Sequence, residues 1–328
     1  MLRLSCARMS RSGSSKTPQL RANVAQRFFK DKGSRRSRSA ARSPLATRES
    51  AAHMRGMKDM PLIEAVLPPP AREYPGVNWV GLQTLYVREV QRFIKVGMQT
   101  LAAPVVTALL YMLVFVVAVG GGREVHGVAY GTFVAPGLIM MQILSNAFAN
   151  SASSLLQGKF NGLMGDFITP PLSPLEHLIG FGAGAATRGL FVGAISLVAV
   201  LPFARLPVAE PWAVVYFGLS AAMIMGFLGI MAGLWAEKFD HMAAVTNFVI
   251  MPMTFLSGTF YLVEKLPEPF RTFSKFNPIF YLIDGFRYGF IGRAEGSLAV
   301  GVTLTAAIVL AFGAVCYWMF RTGYKIKT

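Results

Sequence analysis

Leu256–Gly292 reads LSGTFYLVEKLPEPFRTFSKFNPIFYLIDGFRYGFIG, and how this stretch folds decides what kind of molecule the chain makes. Its prolines and charges unfit it for crossing a bilayer, yet aromatic residues stud it and long apolar runs flank it. In Glu264 to Phe276 the apolar residues Leu266, Phe270 and Phe273 recur at helical spacing, with Pro267, Pro269 and charges between them, which predicts an interfacial helix. Asn277-Pro278 carries a helix-start signature: asparagine caps free N–H groups of a first turn, and proline at the first helical position has no donor to leave unpaired. A helix from Pro278 to about Ile291 rises only ~20 Å, against a hydrocarbon core ~30 Å thick. It enters a membrane without spanning it. Backbone that turns round at that depth must be covered by protein or face water, so a re-entrant helical hairpin is expected here, and a re-entrant hairpin is a functional candidate.

The rest of the composition agrees with a membrane setting. The chain has 328 residues, 53% of them hydrophobic and 15% charged, with a mean hydropathy of +0.47. That combination describes a polytopic membrane protein. The net charge is +16, but residues 1–60 hold 15 Lys and Arg against 3 acids, so +12 belongs to this tail and +4 to everything after it. Basicity confined to a tail gives no reason to expect a nucleic-acid partner. The tail, with blocks such as SRRSRSAARS, has little to bury and is expected to be disordered. Its composition is also that of an organelle transit peptide; the plainer reading is that translation begins at Met54, Met57 or Met60. Residues 61–76, with LPPPAREYP, form a linker, and 77–328 form the membrane domain. Cys6 and Cys316 have no CxxC spacing, and neither a disulfide framework nor a metal site follows.

In Val77 to Lys95, Trp79, Leu82, Tyr86, Val90 and Phe93 recur at steps of three and four, while Arg88, Glu89, Arg92 and Lys95 share the other side. This predicts an amphipathic helix along the membrane surface, with its charges on the wet face. Six bilayer-length apolar segments follow: Gly97 to Gly120, Tyr130 to Ala152, Leu178 to Phe203, Pro211 to Trp235, Met242 to Val263 and Ser297 to Phe320. Cations flank both ends, with Arg88, Arg92 and Lys95 before the first segment and Arg321, Lys325 and Lys327 after the last, so both termini are read as cytoplasmic. The Leu256–Gly292 hairpin then faces outward. Small residues in GFGAGAATRG (Gly180 to Gly189) and MAGLW (Met231 to Trp235) predict close helix packing. Arg188 must snorkel or pair: either the third span starts later and leaves Arg188 at its cytoplasmic end, the favoured reading, or Arg188 belongs to an internal path. Asn146, Asn150 and Asn247 are read as interhelical hydrogen-bonding residues.

Between the second and third spans, Leu156, Phe160, Leu163, Met164 and Phe167 fall on one face of a helix whose only charges are Lys159 and Asp166, ahead of a double-proline stop. A short amphipathic helix here either floats at the lipid interface or fills a groove on a soluble partner. The chain has no GxxxxGK[ST] loop, no HExxH, no GxSxG and no group of His and carboxylates within the spans, so nothing in it reads as an enzyme or a cofactor site.

The order of these features, a surface helix with REVQRF, six spans, an inner helix ending in PPLSP, an outer LSGTFYLVEKLPEPF and then FNPIFYLIDGFRYGF, resembles the permease subunit of ABC-type 2 exporters from roughly Asn78 to Arg321. The resemblance implies an all-α membrane domain in a bacterial inner membrane that pairs with a second copy of itself. It implies two copies of a separate ATPase subunit, on which ATP and Mg act, with lipid as the surrounding partner. It makes Leu156, Lys159, Phe160, Leu163, Met164 and Phe167 an ATPase-coupling helix, with the elbow helix of Trp79, Arg88, Glu89 and Arg92 bordering it. Glu264, Asn277, Pro278, Tyr281, Asp284, Gly285 and Arg287 become an external gate. In that gate Gly285 permits close approach, and Asp284 and Arg287, at i and i+3, are expected to act as an ordinary surface pair. The substrate class stays open among lipids, glycan precursors, drugs and other amphiphiles. The competing classes are a secondary transporter, which would need acids within the spans and often two related halves, and a non-transporting scaffold.

Overall fold

The computed structural model describes residues 76–325 apart from 120, 121, 123, 126 and 163–170. The tail 1–60 and nearly all of the linker 61–76 therefore lie outside the described residues, as do Leu163, Met164 and Phe167. The described residues belong to one compact unit, Arg72–Thr328.

Helices dominate. In chain order they are α1 (Trp79–Lys95), α2 (Gly97–Met112), which continues as a π-helical turn over Leu113–Val119, α3 (Tyr130–Phe160), α4 (Pro174–Val200), α5 (Pro211–Trp235), α6 (Phe239–Val245), α7 (Met251–Phe255), α8 (Phe270–Phe276), α9 (Pro278–Ile291) and α10 (Leu298–Thr322). Between α2 and α3 a two-residue antiparallel ladder joins β1 (Glu124–Val125) to β2 (Val128–Ala129), turning at Gly127 with φ +76°.

Among the described residues four helices, α3, α4, α5 and α10, are long and apolar enough to cross a membrane. The remaining two expected spans are built differently. The first is α2, with Pro104 inside it and the π-helical turn after it. The fifth, expected to run from Met242 to Val263, is α6, a π-helical stretch Thr246–Ile250 and α7, pieces of seven, five and five residues. It ends at Phe255 because Ser257 and Thr259 turn their hydroxyls back onto the Met253 and Thr254 carbonyls, and Gly258 takes φ +73°, a left-handed conformation that ends a helix.

Two further boundaries differ from expectation. The second span does not stop at Ala152: α3 runs 31 residues to Phe160, ~46 Å. The third does not start beside Arg188. It starts at Pro174, where Ser173 caps the helix and Glu176 returns the bond in a complete capping box.

α3 is the central element, buried over most of its length against α4 and α5. Hydrophobic transfer adds little between helices in lipid, so close approach and dispersion hold them. Gly233, in the MAGLW stretch of α5, lies so near α3 that a Cβ there would sit 3.0 Å from the Ala152 carbonyl oxygen. Gly184, in the small-residue run of α4, admits the Glu89 side chain, and a Cβ would come 2.7 Å from the Glu89 Cβ. α1 runs beside α4 in the same direction: Asn78 meets Glu176, Leu85 meets Gly180, Glu89 meets Gly184 and Phe93 meets Phe191.

Candidate functional site

The Leu256–Gly292 stretch is tied into the helices around it. Asn277 both ends α8 and caps α9, its Oδ1 accepting from the Ile279 N–H at 3.0 Å with Pro278 at the first helical position. Its Nδ2 donates to the Met253 carbonyl (2.6 Å) and to Ser257 Oγ (2.8 Å), fixing the start of α9 to the end of α7. Ser274 Oγ donates to the Leu256 carbonyl at 2.7 Å. The expected interfacial helix over Glu264 to Phe276 is shorter than its pattern implies. Pro267 and Pro269 confine it to a 3-10 turn at Val263–Lys265 and to α8, whose Phe270, Phe273 and Phe276 stand exposed.

α9 ends at Gly292, which takes φ +74°. Its Gly285 lies against the buried Phe217 ring of α5, where a Cβ would sit 2.3 Å from the ring carbons. Asp284 and Arg287 are not a surface pair: both are buried, and each has its own partners. The Asp284 carboxylate accepts the N–H groups of Glu295 and Gly296, both at 2.9 Å, which fixes the turn into α10. Arg287 Nη1 bonds Glu295 Oε1 at 3.1 Å, Nη2 donates to the Gly258 carbonyl at 2.6 Å, and the guanidinium lies 3.9 Å above the Phe133 ring of α3. Glu295 also accepts the Val263 N–H at 2.9 Å. One carboxylate therefore joins the start of the hairpin, α9 and the entry to α10. Burial pushes Glu295 up to about 7, against the opposing pull of Arg287. A cavity of about 270 Å³ opens beside it, lined in part by Glu264, Lys275, Tyr281 and Glu295.

A second charged cluster lies where α1 meets α3 and α4. Glu89 is fully buried and accepts from Ser154 Oγ (2.6 Å), Asn150 Nδ2 (3.3 Å) and Arg92 Nη2 (3.1 Å). Arg92 also reaches the Asn150 carbonyl (2.6 Å), Asn150 Oδ1 (3.0 Å) and Ser153 Oγ (2.9 Å). These two residues correct the wet-face assignment: the inward side of α1 is Leu85, Glu89 and Phe93, while Arg88 is exposed and Trp79 is 72% exposed. An acid can face inward because α3 offers polar groups at every fourth position, Asn146, Asn150 and Ser154. That stripe, and the S-x-x-E of Ser173 and Glu176, were signals in the sequence for this packing. Glu176 also accepts the Asn78 N–H at 2.5 Å, joining the starts of α1 and α4.

At the far end of α3, Leu156 is buried, and Lys159 donates to the Leu234 carbonyl and, at 3.2 Å, to that of Ala236, closing the C-terminus of α5. Phe160 is 54% exposed and stacks on Phe239, centroids 4.9 Å apart. Leu156, Lys159 and Phe160, expected on a separate coupling helix, are thus in the last turns of α3. Lys325, after α10, reaches Glu237 at 2.7 Å and holds that carboxyl below the usual range.

The ABC-2 type transporter family model matches residues 80–291, which takes in α1 and runs to the end of α9. The chain belongs to the ABC-2 type transporter family. The inner membrane transport permease YadH of Escherichia coli K12 is 34% identical over 252 residues, covering 76% of this chain and 98% of its own length. Nodulation protein J of Rhizobium leguminosarum bv. viciae is 26% identical, covering 72% and 92%, and its counterpart in Rhizobium meliloti is 24% identical, covering 72% and 91%. As an ABC-2 permease the chain is an integral membrane transport subunit, and both charged clusters contain residues from the family-matched region.

Proposed function

We propose that this chain is the membrane-spanning half of an ATP-driven exporter. It works as a pair of copies with two copies of a separate ATPase subunit, in a bacterial inner membrane, with both termini cytoplasmic and six spans counting α2 and the α6–α7 run. Membership of the ABC-2 family carries this reading, supported by an outer hairpin fastened to α7 through Asn277 and to the entry of α10 through Glu295. The lack of a phosphate-binding loop in the sequence leaves ATP hydrolysis to the partner. The exposed Phe160 and the residues after it take the ATPase contact, α1 borders that contact, and the hairpin is the outer gate over a path for an amphiphilic, lipid, glycan or drug-like substrate.

Co-expression with a candidate ABC ATPase subunit tests this. The two subunits are expected to co-purify, Phe160→Asp to abolish co-purification while leaving membrane insertion unchanged, and the reconstituted pair to move an amphiphile outward only with ATP. Undiminished capture of the ATPase by Phe160→Asp overturns the coupling assignment. A cysteine at Lys265 that an impermeant reagent reaches only from the cytoplasmic side overturns the topology.

A further inference from the structure

Arg188 sits within α4, half-buried, and is poorly served by the protein. Its Nη2 reaches Asn146 Oδ1 at 3.4 Å, the long end of hydrogen bonding, and its Nε is buried with no acceptor. None of the ion pairs among the described residues includes it. The carboxylate whose charge it feels, Glu89, already takes three donors from Arg92, Asn150 and Ser154. Arg92 is committed to Glu89, Asn150 and Ser153. The cluster therefore holds two guanidinium groups and one carboxylate. A surplus carboxylate can be neutralised by taking up a proton, but a guanidinium does not give one up in a protein. A surplus guanidinium inside an apolar body calls for an anion from elsewhere.

The geometry points to a phosphate group as that anion: we propose that Arg188 binds a phosphate oxyanion at the edge of the Glu89–Arg92 cluster. Asn146 steadies the fork, since its Nδ2 donates to the Gln142 carbonyl at 3.1 Å and so turns Oδ1 towards Arg188. The remaining guanidinium N–H groups present the planar donor edge that fits two phosphate oxygens. One turn further along α4, Phe191 is 44% exposed, an apolar surface beside a cationic one. A phospholipid headgroup with its acyl chain against Phe191 satisfies both surfaces; inorganic phosphate satisfies only the first.

Purified protein in detergent tests the site, with phosphatidylglycerol, diacylglycerol and inorganic phosphate as separate probes, read by lipid retention in native mass spectrometry and by the unfolding midpoint. Phosphatidylglycerol is expected to be retained and to raise the midpoint, diacylglycerol to do neither, and Arg188→Gln to weaken retention about tenfold. A midpoint rise with inorganic phosphate that also needs Arg188 keeps the site and assigns its source to water. Without added lipid, Arg188→Gln is expected to fold and to melt no lower than the wild type, because it removes surplus charge. A variant that fails to fold shows Arg188 to be fully partnered within the protein and overturns the proposal. So does phosphatidylglycerol retention that Arg188→Gln leaves unchanged, or a wild type that answers to neither phosphate probe.

Discussion

α3 touches both charged clusters, Phe133 under Arg287 near its start and Asn150 on Glu89 towards its end, ~25 Å apart along the helix. Their charge counts are opposite. The hairpin cluster has two carboxylates, Asp284 and Glu295, around one guanidinium, and the elbow cluster has two guanidinium groups, Arg92 and Arg188, around one carboxylate. Each has at its centre one residue of the minority sign, Arg287 in the first and Glu89 in the second. The difference lies in how each surplus is relieved. The hairpin can bind a proton at Glu295, while the elbow has no such recourse.

The largest expected effect comes from deleting the minority charge. Glu89→Ala strands the partly buried Arg92 and Arg287→Ala strips the buried Glu295 side chain of its ion pair, and each is expected to cost about 3–5 kcal/mol. Thermal unfolding of the purified variants measures it, and a loss below about 1 kcal/mol in either would break the parallel between the clusters. A smaller effect separates them by pH. Glu295 holds its proton up to about 7 in the folded protein, against 4.5 ordinarily, so across that window the native state binds a proton that the unfolded chain has released. The stability this adds is fully present below pH 4.5 and is lost as pH rises through 7, on the order of 2 kcal/mol after solvent screening. Midpoints measured at about pH 5 and pH 8 should differ accordingly, Glu295→Gln should flatten the profile, and Arg287→Ala should be milder at the acid end. Smallest is the loss of a cap: Ser173→Ala at the start of α4 is expected to cost about 1 kcal/mol in the same melt.

Much of the hairpin could be read in advance because its signals are local. Asn277-Pro278 and Gly292 set the limits of α9 through backbone chemistry that any surroundings would respect. The long spans were legible from length and apolarity alone. What escaped depends on partners distant in the chain. No helical period shows that Glu89 turns inward, because the groups that make its burial tolerable, Asn150 and Ser154, lie some sixty residues away. Asp284 and Arg287, at i and i+3, suggested one pair, but the loop after α9 supplied each with better partners in Glu295 and Gly296. The fifth span was overestimated because apolar residues continue past Phe255 while hydroxyls and a left-handed glycine have already ended the helix.

The carboxylate of Glu176 takes the N–H groups of both Asn78 and Ser173, so α1 and α4 are pinned together at their first turns; Glu89 and Arg92 fasten α1 to α3 farther along. A rod held at two points along its length can neither slide nor swing alone. Any force applied near the end of α3 or to α1 must then move α1, α3 and α4 as one lever, and the displacement delivered to the rest of the membrane domain is set by where that lever pivots and no longer by the stiffness of any single helix.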